Sequence, residues 1–304
     1  MNKLRIALLG LGDIAKKAYL PIVANNPEVE PILCSRNLTV LNELQDKYRI
    51  NEAYQTLAEL IASKPDAIMI HSATESHFAI AKQSLSAGIA TFVDKPLSLS
   101  FAECQVLIEL AKANNAPLYV GFNRRKAPLV AALTPRNLQH VIWQKNRVNL
   151  PALARDFIFN DFIHVVDSLL FLAKCTDIDQ VKNLTINANM QDKLLTRIHL
   201  SFTHQAGFFE GSMNRLSGVS EERIEAFSAD ETTQINSLTS GHNFKAGVMT
   251  PLGFNDWQSH LYQRGFNDMI EEWLVEVKSE QANLTGLQTI LISHQLCEKL
   301  VAAT

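Results

Sequence analysis

The apolar run Leu4-Arg5-Ile6-Ala7-Leu8-Leu9 leads straight into Gly10-Leu11-Gly12, and a helical pattern (Ile14, Ala18, Ile22, Val23) starts two residues later. A run without polar alternation suits a strand buried on both faces of a parallel sheet, because alternation would leave one face wet. Strand, glycine turn and helix in succession open a βαβ unit. The rhythm then repeats. Pro31 to Cys34 reads as a strand, Thr39 to Tyr48 as a helix, and Thr56 as the cap of a helix through Ser63. Asp66 to Ile70 is a strand, Ser76 to Ala87 a helix stopped by Gly88, Ala90 to Val93 a strand, Ser100 to Asn114 a capped helix, and Leu118 to Val120 the last strand. Pro21 should kink or end the first helix. Strands alternating with helices imply parallel pairing, right-handed crossovers and a doubly wound α/β sheet.

After Gly121 the rhythm changes. Leu184 to Met190, Thr196 to Thr203, Phe208 to Asn214, Arg223 to Phe227 and Thr232 to Leu238 are strand-like with short polar links, which suits antiparallel hairpins. A helix from about Asp161 to Ala173 precedes them, and helices Trp257 to Lys278 and Leu284 to Ala302 follow. Thr239 to Asn255, with three glycines and Pro251, reads as a long loop. At 304 residues two domains are expected, divided as 1–121 and 122–304.

Composition narrows the class. A hydrophobic fraction of 47% can fill a core without metal or disulfide staples, and 19% charged residues argue against disorder. Lys plus Arg number 28 against 31 Asp plus Glu, with no basic block, so no nucleic-acid partner is expected. No apolar run reaches a membrane span, and no cleavage site follows the apolar stretch that ends at Gly12. Cys34, Cys104, Cys175 and Cys297 are scattered, as core residues of a reducing compartment would be. The expectation is a soluble cytoplasmic protein. His199 and His204, five apart in a strand, point to opposite faces, and no other group has ligand spacing, so no metal site is expected.

Gly10-Leu11-Gly12-Asp13-Ile14-Ala15 is GxGxxA, a variant of the dinucleotide fingerprint in its proper strand–turn–helix setting. Gly10 permits the tight turn, Gly12 lets backbone approach a pyrophosphate, and Ala15 allows close helix–sheet packing. The helix N-terminus, where Asp13 and Ile14 lie, supplies amide donors and positive dipole. A glycine turn in a fold that binds something else is the alternative. At the tip of the second strand, where NAD-preferring folds place an acidic residue, stand Ser35 and Arg36. A hydroxyl and a guanidinium suit the 2′-phosphate of NADP; otherwise Arg36 is a solvated turn residue. In Ser72-Ala73-Thr74-Glu75-Ser76-His77, Ser72 and Thr74 fit a helix cap or a cofactor contact equally, and His77 fits a structural bond or one near the cofactor. Asp94-Lys95-Pro96 lies where ligands of doubly wound sheets sit, and a partly desolvated Lys95 could move a proton. Taken alone, the tripeptide is a charged strand tip.

Taken together and in order, GLGDIA, AYLP, SATESH, VDKPL and Gly121-Phe122-Asn123-Arg124-Arg125 resemble the Gfo/Idh/MocA oxidoreductases, most of all the MviM subgroup, which shares the NRR-x-AP segment and a DFIHVVD-like helix. The resemblance covers almost the whole chain. It implies a Rossmann domain followed by an α+β domain with a large, mostly antiparallel sheet. It also implies NAD(P) binding, redox chemistry on sugars or inositols, and homodimers or homotetramers formed through the open sheet.

The family's site helix carries D-x-x-x-H. Here an i, i+4 partner of His164 is Asn160, not an aspartate, while Asp161 and Asp167 lie three residues to either side. Either could approach the imidazole; alternatively His164 satisfies a backbone group. Lys126 stands where relatives commonly carry an aromatic residue. The leading expectation is an NADP-preferring, otherwise NAD-dependent, oxidoreductase acting on a small polyhydroxylated substrate. Lys95 and His164 are the expected catalytic pair, with Asn123, Arg124, Asn160 and Asp161 near the substrate. A cofactor-binding sensor without turnover, motivated by Asn160, is one rival. A glycoside-cleaving enzyme using bound cofactor transiently is the other.

Overall fold

The computed structural model describes residues 3–304. The chain divides into two compact units, residues 3–121 with Phe266–Leu287, and Phe122–Gly265 with Gln288–Thr304. Helix Phe266–Ser279 thus belongs to the first unit, although the sequence division at residue 121 puts it in the second.

The first unit is built on β1 (Leu4–Leu9), β2 (Val29–Cys34), β3 (Glu52–Tyr54), β4 (Ala67–Ile70), β5 (Ala90–Val93) and β6 (Leu118–Val120), paired in the order β3-β2-β1-β4-β5-β6. All pairs are parallel. The order reverses between β1 and β4, and that reversal is where doubly wound sheets hold ligands. Helices α1 (Leu20–Asn25), α2 (Leu38–Tyr48), α3 (Leu57–Ala62), α4 (His77–Ser86) and α5 (Phe101–Ala113) connect the strands. Pro21 does not end the first helix. The helix runs unbroken over residues 13–25, with a π-turn over Ala15–Tyr19 leading into α1, and Pro21 sits just after that change of hydrogen-bond register. Thr56 caps α3 in a reciprocal box: its hydroxyl accepts from Glu59 N (3.2 Å) and the Glu59 carboxylate accepts from Thr56 N (3.1 Å). Ser100 occupies the cap position of α5 but accepts no hydrogen bond there.

The second unit holds α6 (Pro128–Ala131), β7 (His140–Asn146), α7 (Ala154–Phe157), α8 (Ile163–Leu172), β8 (Lys182–Gln191), β9 (Leu194–His204), β10 (Gly207–Asn214), β11 (Glu221–Ser228), β12 (Glu231–Asn236), β13 (Ser240–Lys245), β14 (Val248–Leu252) and α9 (His260–Gln263). Its eight strands run β14-β13-β12-β11-β7-β10-β9-β8, antiparallel except for β7 beside β10. Two sequence expectations are corrected. Residues 239–255 are not a long loop: β13 and β14 form an edge hairpin turned by Ala246 and Gly247, both at positive φ. The expected helix from Trp257 starts at His260 and breaks at Gly265. α10 (Phe266–Ser279) then belongs to the first unit, and α11 (Leu284–Ala302) begins there and continues in the second. Helix α8 lies on one sheet face, with Val165 and Leu169 against Gly211 of β10. Among the described residues no helix is long and apolar enough to cross a membrane.

Candidate active site

At the carboxyl ends of β1, β2 and β4 lies a groove of about 730 Å³, lined by Gly10, Gly12, Ser35, Arg36, His71 and Ser72 among others. Gly10 sits at φ +88°, and a Cβ there would stand 2.4 Å from Ser72 N, so two turns meet backbone to backbone. At Gly12 a Cβ would meet no atom within 4 Å. Helical hydrogen bonding starts at this residue, with Lys16 N donating to Gly12 O (3.1 Å), so the helix N-terminus opens on the groove. A bare turn, helix amides and a volume of this order fit a dinucleotide. The β2 tip is held by Ser35 Oγ accepting from Asn37 N (3.2 Å) and by Asn37 Oδ1 accepting from Val40 N (3.2 Å). Arg36 is exposed, and its guanidinium makes no hydrogen bond or ion pair with any described residue.

Asp13, Ile14, Thr74, His77, Asp94 and Lys95 do not line this groove. Asp13 pairs with Lys17 on the surface (2.7 Å), and the Ile14 side chain is exposed. His77 is a staple: Nδ1 lies 2.8 Å from the Pro96 carbonyl and Nε2 lies 3.1 Å from that of Ser72. It ties the Ser72 turn to the residue after the cis Lys95–Pro96 peptide. Asp94 Oδ1 accepts from the Tyr19 hydroxyl (3.1 Å) and from Lys95 N (2.9 Å), which anchors the strand end that carries Lys95. Burial raises the Asp94 carboxyl, against the pull of Lys95; burial and Asp94 together push the Tyr19 phenol well up. Tyr19 belongs to the AYLP segment, but nothing in the spacing gives it a role. The His71 ring lies tilted against Tyr19, centroids 4.1 Å apart, with both ring nitrogens unbonded, and burial, then His77, lowers it to about 3.

In the second unit the turn Asn123–Lys126 presents Arg124, 5% exposed, to a buried cluster. Its guanidinium grips Glu222 of β11 with a fork, Nε to Oε1 at 2.8 Å and Nη2 to Oε2 at 2.9 Å. Trp143 Nε1 on β7 donates to the same carboxylate (3.0 Å). Burial works to raise the Glu222 carboxyl, but Arg124, with Lys145 and Trp143, brings it down to about 2. Arg124 Nη1 also donates to Asn123 Oδ1 (3.1 Å) and to Nδ1 of His164 on α8 (2.9 Å).

The carboxylates flanking His164 each carry ion pairs with cations from other elements. Asp161 is shared by Lys145 (2.5 Å), Arg147 (3.0 Å) and Arg215 (3.1 Å). Burial opposes its ionisation, yet Lys145 and Arg147 hold its carboxyl far below the usual range. Asp167 takes Arg125 and the Ser293 hydroxyl (2.8 Å), and Arg125 lies over Phe122 and Phe171. Residues Ile158–Phe162 form a π-turn, so α-helical i, i+4 spacing does not set which side chains share a face with His164. Asn160 lies within that turn. Glu222, Trp143 and Arg264 were not singled out from the sequence, since they come from distant strands and a loop. Among the described residues no group of His, Cys, Asp and Glu is placed to hold a metal ion.

Residues 4–122 match the family model described as oxidoreductase family, NAD-binding Rossmann fold, and residues 136–245 match a YceM-like C-terminal domain. The fold is similar to the crystal structure of a Gfo/Idh/MocA family oxidoreductase from Vibrio cholerae, at 36% identity, TM-score 0.93, with 99% of this chain and 98% of that one covered. A dehydrogenase (MviM) from Clostridium difficile is 26% identical, with TM-score 0.90 and 99% of both chains covered. The Salmonella typhimurium oxidoreductase YceM is 28% identical over 99% of this chain and 98% of its own length.

Proposed function

The chain belongs to the Gfo/Idh/MocA family of oxidoreductases, and from that premise we propose that it moves a hydride between a nicotinamide dinucleotide, NADP in preference to NAD, and a carbinol carbon of a sugar-like or cyclitol-like substrate. The observation that carries the reading is the contact of the Gly10 turn with Ser72 at the strand-order reversal, which opens a helix N-terminus on a dinucleotide-sized groove. Gly10, Gly12 and the first helical amides would hold the pyrophosphate, and Ser35 and Arg36 would take the ribose 2′-phosphate.

The bound dinucleotide supplies the hydride acceptor or donor. The chain's own residues orient the substrate and manage the proton. Arg124 can only donate, so Nδ1 of His164 is an acceptor and the imidazole proton sits on Nε2. His164 therefore donates a hydrogen bond to a substrate oxygen and does not accept the hydroxyl proton. Acceptance falls to Lys95, whose strand end Asp94 and Tyr19 anchor. Asn160 offers a neutral amide to a neighbouring hydroxyl, while the Asn123 amide holds Arg124 and the Arg264 carbonyl in place.

The test is absorbance at 340 nm with each cofactor over a panel of polyols, sugars, keto-sugars and inositols. Net reduction or oxidation of cofactor by one member supports the reading. Tight cofactor binding with no turnover across the panel would favour the sensor, the reading that Asn160 motivates. Product formation without net cofactor consumption would favour glycoside cleavage.

A further inference from the structure

Among the described residues Arg124, which touches His164, is paired with Glu222, and Lys145, Arg147 and Arg215 all reach the carboxylate of Asp161; Lys145 and Arg147 also feel Glu222, and Asp156 acts on Arg215 from farther away. Lys145 is 1% exposed, and Arg215, also buried, has an Nε with no acceptor among the described residues.

A fifth cation is added by design of the backbone. The Asn123 side-chain amide donates to the Arg264 carbonyl at 2.8 Å. The next residue, Gly265, lies at φ +80°, and a Cβ there would stand 2.3 Å from both Asn123 O and Ala127 N. Only glycine fits this approach, so residue 264 is pinned to the turn that carries Arg124. The Arg264 guanidinium makes no hydrogen bond or ion pair with any described residue. Burial first, then the charges of Arg124 and Arg147 against that of Glu222, lower its pKa, which places it within their field. A partly buried cation set among like charges is unfavourable unless an anion completes the group.

We propose that Arg264, with the part-exposed Arg147, forms a subsite for an oxyanion carried by the substrate: the carboxylate of a sugar acid or the phosphate of a sugar phosphate. Guanidinium forks match both groups, whereas a neutral polyol offers them no charge. The proposal rests on the reading above, in which this unit holds the polyhydroxylated substrate.

The test is isothermal titration of the NADPH-saturated protein with D-gluconate, D-glucose 6-phosphate and D-glucose. At least one anion should bind tenfold or more tighter than glucose, on the order of one charge-assisted contact, and the tighter of the two identifies carboxylate or phosphate as the group. Arg264→Gln should weaken anion binding by about ten- to a hundredfold and Arg264→Lys by less, with thermal midpoints confirming that both variants fold. Glucose binding as tightly as both anions, binding of neither anion, or wild-type anion affinity in Arg264→Gln would overturn the subsite. Failure of both NADPH and NADH to bind would instead sink the dehydrogenase reading. The same titrations without cofactor would still decide the subsite.

Discussion

The guanidinium of Arg124 donates to Nδ1 of His164 across 2.9 Å, and that contact determines which proton the imidazole can use. With Nδ1 committed as acceptor, the ring is a donor through Nε2. Lys95→Met should then lower kcat by about 100-fold or more with cofactor affinity retained, because proton acceptance is lost. His164→Asn keeps a donor N–H and should cost about tenfold. Steady-state kinetics on the substrate found in the panel decides the matter. Full turnover in both variants would remove the pair from the chemistry.

The cofactor preference rests on Arg36 at the lip of the groove. NADPH should quench or enhance fluorescence at lower concentration than NADH, and Arg36→Ala should narrow the gap by about ten- to a hundredfold, the worth of one charge-assisted bond. Equal affinities in the wild type would dismiss Arg36 and leave the fold untouched.

Asn160→Asp puts a carboxylate where the family's site helix carries one. The ranking of polyols by kcat/KM should change, by about tenfold for at least one member, since a carboxylate accepts from hydroxyls more strongly than an amide. An unchanged ranking would place Asn160 outside the substrate site.

His71 makes stability depend on pH. Its value in the folded chain is about 3 and that of His294 about 4, both lowered chiefly by burial from the usual 6.5. The unfolded chain binds more protons below pH 6.5, so the stability these rings contribute is complete above that pH and is lost as pH falls toward 4 and 3. Between pH 6.5 and 5 each ring should cost about 2 kcal/mol. Urea unfolding of His71→Phe, which keeps a ring between Tyr19 and Phe92, should show a loss smaller by about that amount. An identical slope in the variant would show that His71 does not titrate with unfolding.

The sheet face opposite α8 carries Phe208, 38% exposed, beside His140, which stacks on Phe227 and bonds Glu210 at 2.7 Å. The resemblance implies homo-oligomers formed through the open sheet, and this exposed face is the expected contact. Sedimentation equilibrium should find a dimer or tetramer, with Phe208→Lys shifted toward monomer by tenfold or more in Kd, about the cost of burying an unpaired charge. A wild-type monomer would refute the expectation.

The first unit was legible because its strands are apolar runs and its turns carry glycine at fixed spacing. Of its strands only β3 escaped, having three residues and none fully buried. In the second unit β7 was missed, since one of its buried positions is Lys145, which reads as surface until Asp161 is seen beside it. The β13–β14 hairpin was missed because an edge pair with exposed Val248 and Met249 shows no buried face. Gly10, Gly12, Ser35 and Arg36, singled out by their spacing, line one groove. The partners of Asp161 and Asp167 could not be read from helical spacing, because cations from β7, the segment after β10 and the Asn123 turn decide where those carboxylates point.

The return of Phe266–Leu287 to the dinucleotide unit bears on how the chain is made. Trp273 of α10 is buried against Phe92 and Tyr119, and Tyr119 donates to Glu272 at 2.5 Å. A ribosome that has released the first 121 residues has therefore delivered every strand of that sheet but not the helix that covers its aromatic face. Residues 122–265 of the second unit are translated in between, so the first waits for them and for α10 before its apolar surface can close.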